Sequence, residues 1–509
     1  MLDAGQRATV LSAPPLQWSP VPATSPPPSS AVHAASAPAE VVDGILAAAP
    51  VVVELAEQFA ARGHELSVVG GPVRDALLGR LGRAGMDWDL ATSARPDATE
   101  DLAAGWADAV WTVGREFGTI GMRKGDLHLE VTTYRSDAYA PASRKPEVLF
   151  GDSLEGDLAR RDFTINAMAV DIAGRRLVDP FGGRADLVGG VLRTPGTPER
   201  SFSDDPLRML RAARFAAQLG VRAADPVVAA MRDLGERITI VSAERVRDEL
   251  VKLICASDPR AGLTLLVRTG LADQVLPELP ALRLERDEHH RHKDVYEHTL
   301  TVLEQAMALE SRLGDGPDLV VRLAALMHDI GKPRTRRFQP DGSVTFHHHD
   351  VVGAKLSRKR MRALRFSNDV TDQVALLVEL HLRFHGYGSG EWTDSAVRRY
   401  VRDAGDQLAR LHVLTRADCT TRNARKALRL QRTYDDLEQR IARLAEQEEL
   451  QRLRPDLDGN QIMATLGLPP GREVGEAYRF LLELRMERGP LGEDEARREL
   501  QTWWRHRNG

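Results

Sequence analysis

Asp87 and Asp89, two residues apart, open the chemical reading of this 509-residue chain. In a strand both carboxylates project from one face while Trp88 and Leu90 turn to the other. Two adjacent carboxylates repel until a divalent cation neutralises them, and oxygen ligands suit Mg²⁺. Asp126 to Tyr134 alternates apolar and polar residues, which predicts a second strand. Glu130 lies there in phase with His128 and Thr132 and offers a third carboxylate. Upstream, Gly70-Gly71 follows a short apolar run and precedes a helix start at Pro72, with Arg74 just inside it. Paired glycines let the backbone approach a phosphate, and a helix start presents free N–H groups to an anion. Arg74 adds a charged fork for phosphate oxygens. Together these residues describe a site for a metal-bound triphosphate.

The elements that must position them can be read from the same pattern. Val51 to Arg62 is an amphipathic helix closed by Gly63, and Glu65 to Val69 is a strand. Asp87 to Ala91 is the next strand, and from Asp204 helices dominate. Residues 1–40 are rich in Pro, Ala and Ser and read as a disordered leader. Apolar residues are 42% and charged residues 28%, ordinary for a globular protein of roughly three domains. The formal net charge of −4 excludes a uniformly basic polyanion binder but leaves room for a local basic cleft. Cys255 and Cys419 are too few for a disulfide framework and fit a reducing cytoplasm. No stretch reads as a membrane span or a secretory signal. Eleven of the fifteen histidines lie between His289 and His412, a clustering that points to a metal site.

Val68-Val69-Gly70-Gly71-Pro72-Val73-Arg74-Asp75 with Asp87-Trp88-Asp89 resembles the opening motif of the class II tRNA nucleotidyltransferase and bacterial poly(A) polymerase family. The likeness continues through Glu130 to Arg135 and is closest at Asp157 to Ala169, which contains Arg160-Arg161-Asp162-Phe163-Thr164-Ile165-Asn166. Asp179 to Gly183, Asp204-Asp205-Pro206-Leu207-Arg208-Met209-Leu210-Arg211 and Ser242 to Glu249 follow in order. The resemblance implies an α/β, polymerase β-like head followed by an all-α neck. It implies that Arg161 and Asp162 bind nucleotide phosphate and ribose. The following Asn166, Ala167 and Met168 read as packing residues. Asp205 and Arg208, expected one helical turn apart on one face, would read the incoming base. Cytosine and adenine both offer an exocyclic amino donor beside a ring-nitrogen acceptor, which an aspartate beside an arginine complements; uracil and guanine reverse the pattern. Arg211 and Arg214 would bind phosphate or buttress Asp205. The chain departs from the family in having Asp204 where a glutamate is usual, so Asp204 is given no direct role.

The order His298, His328-Asp329, His349, His381, Asp418 resembles the HD phosphohydrolase superfamily. That resemblance implies an all-α domain holding one or two divalent transition metals or Mg²⁺ and hydrolysing a phosphoester. His347 and His348 are near enough to His349 to compete for its place. Lys355, Arg358, Lys359, Arg360, Arg362 and Arg365 form a basic run suited to RNA phosphates or to a solvated helix face. The tail, through Asp458 to Met463 and Pro469 to Gly475, resembles the tRNA-contacting segment of HD-containing CCA-adding enzymes.

The expected division is a leader (1–41), a nucleotidyltransferase head (42–183), a helical neck (184–286), an HD domain (287–425) and a helical tail (426–509). The leading reading is template-independent addition of C, C and A to the tRNA 3′ end from CTP and ATP, close to the actinobacterial type. Alternatives are a poly(A) polymerase or an A- or CC-adding enzyme of the same family. From other classes come an HD phosphohydrolase with a nucleotide-sensing head and a non-catalytic RNA-binding protein. Intact Asp87 and Asp89 weigh against the last two, and the oligomeric state stays open.

Overall fold

The computed structural model describes residues 37–81, 87–138, 147–151, 153–284, 294–340, 344–384, 387, 392–421, 423–448 and 454–508. Residues 1–36 of the expected leader, with His289, His290, His292 and His385, lie outside the described residues. Helix begins earlier than composition suggested, at Pro38–Ala48. Pro38 is tolerated in the first turn, the Ala37 N–H donates to Glu40, and Val41, Val42 and Ile45 are buried.

The head is a mixed sheet of seven strands. In spatial order they are Ala109–Trp111, Thr119–Lys124, Leu127–Thr133, Trp88–Thr92, Leu66–Val69, Ala169–Asp171 and Arg176–Val178. All neighbours are antiparallel except Trp88–Thr92 and Leu127–Thr133, which run parallel with Asp89 directly beside Glu130. Alternation does the rest. Trp88, Leu90, Leu129 and Val131 join Phe59, Leu77 and Leu102 in the main core, leaving Asp89 and Glu130 on the opposite face. The helix expected at Val51 to Arg62 is Pro50–Ala61, with Gly63 at φ +77° in the left-handed position beyond its end.

Helices dominate from Pro198 onward, with two small departures from the all-α expectation. In the neck, Val191–Leu192 pairs in parallel with Arg222–Ala223. In the HD region, Arg337–Phe338 and Val344–Thr345 form a short antiparallel hairpin. The main core is continuous from Val41 through the neck and HD helices to Leu444. The helix Ala424–Glu448 runs through the expected boundary at 425/426 because nothing there breaks it, and its Tyr434, Leu437, Ile441 and Leu444 belong to this core. A separate core of Leu457, Ile462, Ala477, Leu481, Leu484, Ala496 and Leu500 begins the tail's own packing.

Candidate active site and metal centre

A cavity of about 410 Å³ opens where the sheet meets the neck. Its wall contains Gly70, Gly71, Arg74, Arg161, Asp162, Asp205, Arg208, Arg211 and Arg214, all nine residues expected to bind nucleotide, together with Asp89. Arg135, Arg160, Asn166 and Phe215 complete it. Seven of these side chains are guanidinium groups, the local basic cleft that a net charge near zero conceals.

Gly70 has φ +73°, which favours glycine, and the missing Cβ leaves room for Arg161 Nη1, which would otherwise stand 2.8 Å from it and have to shift. The helix Gly71–Leu77 then carries Arg74 into the cavity wall. Asp87 is exposed beside the strand bearing Asp89. Burial raises the Asp89 carboxyl, Arg161 opposes the rise, and the Asp87 charge adds to it. Glu130 is raised by burial, then by Asp89 and Asp87. Asp89 and Glu130 side by side on one sheet face, with Asp87 just before the strand, are mutually repelling carboxylates and a donor set that fits a divalent cation.

The polar wiring of the wall departs from the motif reading. Asn166 is not a packing residue: its Oδ1 accepts from Arg74 at 2.7 Å while its Nδ2 donates to Asp162 Oδ1 at 3.0 Å. Asp162 also accepts from the Phe163 N–H, and its other oxygen accepts from Arg211 Nε at 2.7 Å. Burial would raise Asp162, but Arg211 and Asn166 hold it well below the usual carboxylate range. Asp162 therefore organises Arg211 in this wall. Arg161 and Arg160 both pair with buried Asp157.

Asp205 and Arg208 meet at the cavity, but not on one helix. Asp205 is the extended residue after the helix Pro198–Asp204, and Arg208 lies in the helix Leu207–Leu219 beyond Pro206. Asp205 accepts from the Leu207 N–H at 3.1 Å and from Arg245 at 3.2 Å. Arg208 donates to Ser201 Oγ and to the Arg160 carbonyl. Neither Arg211 nor Arg214 buttresses Asp205: Arg211 serves Asp162, and Arg214 donates to Glu249 Oε2 at 2.6 Å. Arg245 takes the buttressing place.

The second constellation assembles as a unit. His298, His328 and Asp418 form one group and Asp329, His349 and His381 another, the donor atoms of each lying within 4.8 Å of one another. His328 Nε2 lies 3.3 Å from His298 Nε2 and 3.2 Å from Asp329 Oδ2, and His298 Nε2 lies 3.0 Å from Asp418 Oδ1. Nδ1 of His328, His349 and His381 sits 2.6 to 2.8 Å from the carbonyls of Ala325, Phe346 and Val378. Donation from Nδ1 fixes each ring and leaves Nε2 as the lone-pair donor, the usual arrangement around a metal. His381 Nε2 is buried without a hydrogen-bond partner, an orphan that a cation would satisfy. Gly331 lets the loop after Asp329 meet the helix His349–Ala363, since a Cβ there would stand 2.1 Å from the His349 carbonyl. His349 is buried whereas His347 and His348 are exposed, which settles the register in favour of His349. In the basic run, Arg358 lies 3.5 Å from Asp372 and Arg360 2.9 Å from Glu278, so part of it serves internal ion pairs.

Residues 66–193 match the family model of the poly A polymerase head domain, 224–282 that of the probable RNA and SrmB-binding site of polymerase A, and 295–423 that of the HD domain. An A-adding tRNA nucleotidyltransferase of Deinococcus radiodurans is 35% identical over 450 residues, spanning 86% of this chain and 95% of that relative. The chain belongs to the tRNA nucleotidyltransferase and poly(A) polymerase family. A multifunctional CCA protein of Neisseria gonorrhoeae is 36% identical over 63% of this chain and 74% of its own length. The Bacillus stearothermophilus CCA-adding enzyme, solved in complex with CTP, superposes with a TM-score of 0.66 at 26% identity, covering 91% of this chain and 98% of that one. The head is thus a nucleotidyltransferase head and the histidine-rich region an HD domain, two domain types that generally use divalent metals.

Proposed function

We propose that this nucleotidyltransferase adds C, C and A to the 3′ end of tRNA without a template, taking CTP and ATP and releasing pyrophosphate. The convergence of all nine expected nucleotide-binding residues and Asp89 on one cavity carries the reading. Asp87, Asp89 and Glu130 would hold Mg²⁺, which would activate the RNA 3′-hydroxyl and stabilise the leaving pyrophosphate. Arg74, Arg161, Arg211 and Arg214 supply positive charge for the triphosphate from fixed positions, so little reorganisation is needed at the chemical step. Arg208 and Asp205, each held by its own partners, present a donor beside an acceptor to cytosine or adenine and leave uracil or guanine unpaired. In the HD centre His298, His328, Asp329, His349, His381 and Asp418 would hold one or two divalent metals, which would supply an activated water for phosphoester hydrolysis. Work on tRNA supports a cytoplasmic location. No helix among the described residues is long and apolar enough to cross a membrane.

The test supplies tRNA lacking its 3′ end with CTP and ATP and sequences the products. Ordered C, C and A is expected. Addition of a lone A only to tRNA already ending in CC would instead align the chain with the Deinococcus relative. A long A tract would make it a poly(A) polymerase.

A further inference from the structure

Three of the cavity's arginines converge on one aromatic ring. Arg214 Cζ lies 4.1 Å from the Phe215 ring centroid, Arg74 Cζ 5.4 Å and Arg211 Cζ 5.7 Å, all within cation–π reach. The ring is only 3% exposed, lines the cavity, and is held edge-on by Phe163 with centroids 5.8 Å apart. Sequence places these groups deliberately: Arg211 and Phe215 are one turn apart on the helix Leu207–Leu219, while Arg74 arrives from the glycine-led helix of the head.

The polar network closes around the same ring. Arg74 is tied through Asn166 to Asp162, and Asp162 to Arg211, while Arg214 is held from behind by Glu249. Guanidinium groups gathered this closely repel one another, and hydrogen bonds set their distances without giving them a common attractive surface. The negative face of an aromatic ring supplies that surface, whereas an aliphatic side chain of similar volume fills the space and attracts none of them.

We propose that Phe215 is a positioning residue for nucleotide binding, its ring preassembling Arg74, Arg211 and Arg214 into one cationic wall for the triphosphate. The inference rests on the cavity being the nucleotide site. The ligand then meets charges already gathered, and the cost of gathering them does not fall on binding.

The experiment replaces Phe215 by 3,4,5-trifluorophenylalanine, which keeps the ring's shape and apolar packing but drains its negative face. Phe215→Leu is a second variant. CTP and ATP affinity is read by calorimetry and KM and kcat by tRNA extension, with thermal unfolding as a check on the fold. Trifluorination should weaken nucleotide binding and raise KM by roughly five- to tenfold, with kcat within about twofold and the melting temperature unchanged. Phe215→Leu should weaken binding at least as much. Unchanged affinity in the trifluorinated protein would reduce Phe215 to a packing residue and overturn the proposal. Binding is read directly, so the series decides the point even if the wild-type protein binds nucleotide and fails to transfer it, a result that would count against the proposed reaction alone.

Discussion

The two metal-suited regions solve opposite problems. In the HD centre six candidate ligands, carried at or near the ends of five helices, already point inward, and among the described residues only there do three potential donors lie within 4.8 Å of one another. The buried rings are fixed from behind by backbone carbonyls. In the head, the carboxylates gather on one side of the sheet from two neighbouring strands but stay apart, Asp87 and Glu130 exposed and Asp89 half-buried. What is preassembled there is the opposite charge, the arginine wall. A hydrolytic centre that keeps its metal benefits from a closed donor cage. A polymerising site whose metal arrives with its substrate instead needs a fixed cradle for the anion and an open seat for the cation.

This contrast can be broken experimentally. The largest effect is expected from His328→Ala, which should abolish HD phosphoester hydrolysis by about a thousandfold or more while nucleotide addition stays within about twofold. Loss of addition as well would show that the two regions are not separate. Arg208→Ala should relax rejection of UTP and GTP, lowering discrimination by about a hundredfold in misincorporation assays. Selectivity unchanged in that variant would remove base reading from the protein side chains. Asn166→Ala unties Arg74 from Asp162 and should raise KM for both nucleotides by about tenfold with a smaller change in kcat. Chelation should lower the melting temperature by about 5 °C through loss of the HD metal, and His381→Ala should erase that shift.

The smallest effect concerns acid stability. Asp162 is held below its ordinary value because Arg211 outweighs the penalty of burial. Its contribution to stability is therefore present above the unfolded value, about pH 4, and is lost as pH falls through the lower folded value. Asp162→Asn should flatten the acid limb of the stability curve, and an unaltered limb would mean the ion pair contributes nothing there.

How far each region could be read from sequence follows from how it is built. The HD candidates were legible because the order His298, His328-Asp329, His349, His381, Asp418 resembles the HD superfamily, with His328 closing an apolar helix, and their number and order leave few other readings. In the head, Asp89 was legible through its strand alternation, but its adjacency to Glu130 depends on a parallel pairing between strands that a chain pattern does not specify. Asn166 and Phe215 sit in apolar stretches and look like core; only the folded neighbours reveal one as a bridge and the other as a platform. Asp205 and Arg208 have helical spacing, yet Pro206 marks a junction, and the two converge across it. The helix Ala424–Glu448 begins within two residues of the expected limit at 425, yet its Tyr434, Leu437, Ile441 and Leu444 pack on the same core as the HD helices, a contact that a chain pattern does not specify.

The most direct test of the account is Asp87→Ala assayed for both activities in one preparation. Asp87 lies on the carboxylate face of the head and among none of the HD ligands. Nucleotide addition to tRNA should fall by at least about a thousandfold while metal-dependent phosphoester hydrolysis is retained. Addition that survives this substitution would contradict the assignment of the head carboxylates to the reaction.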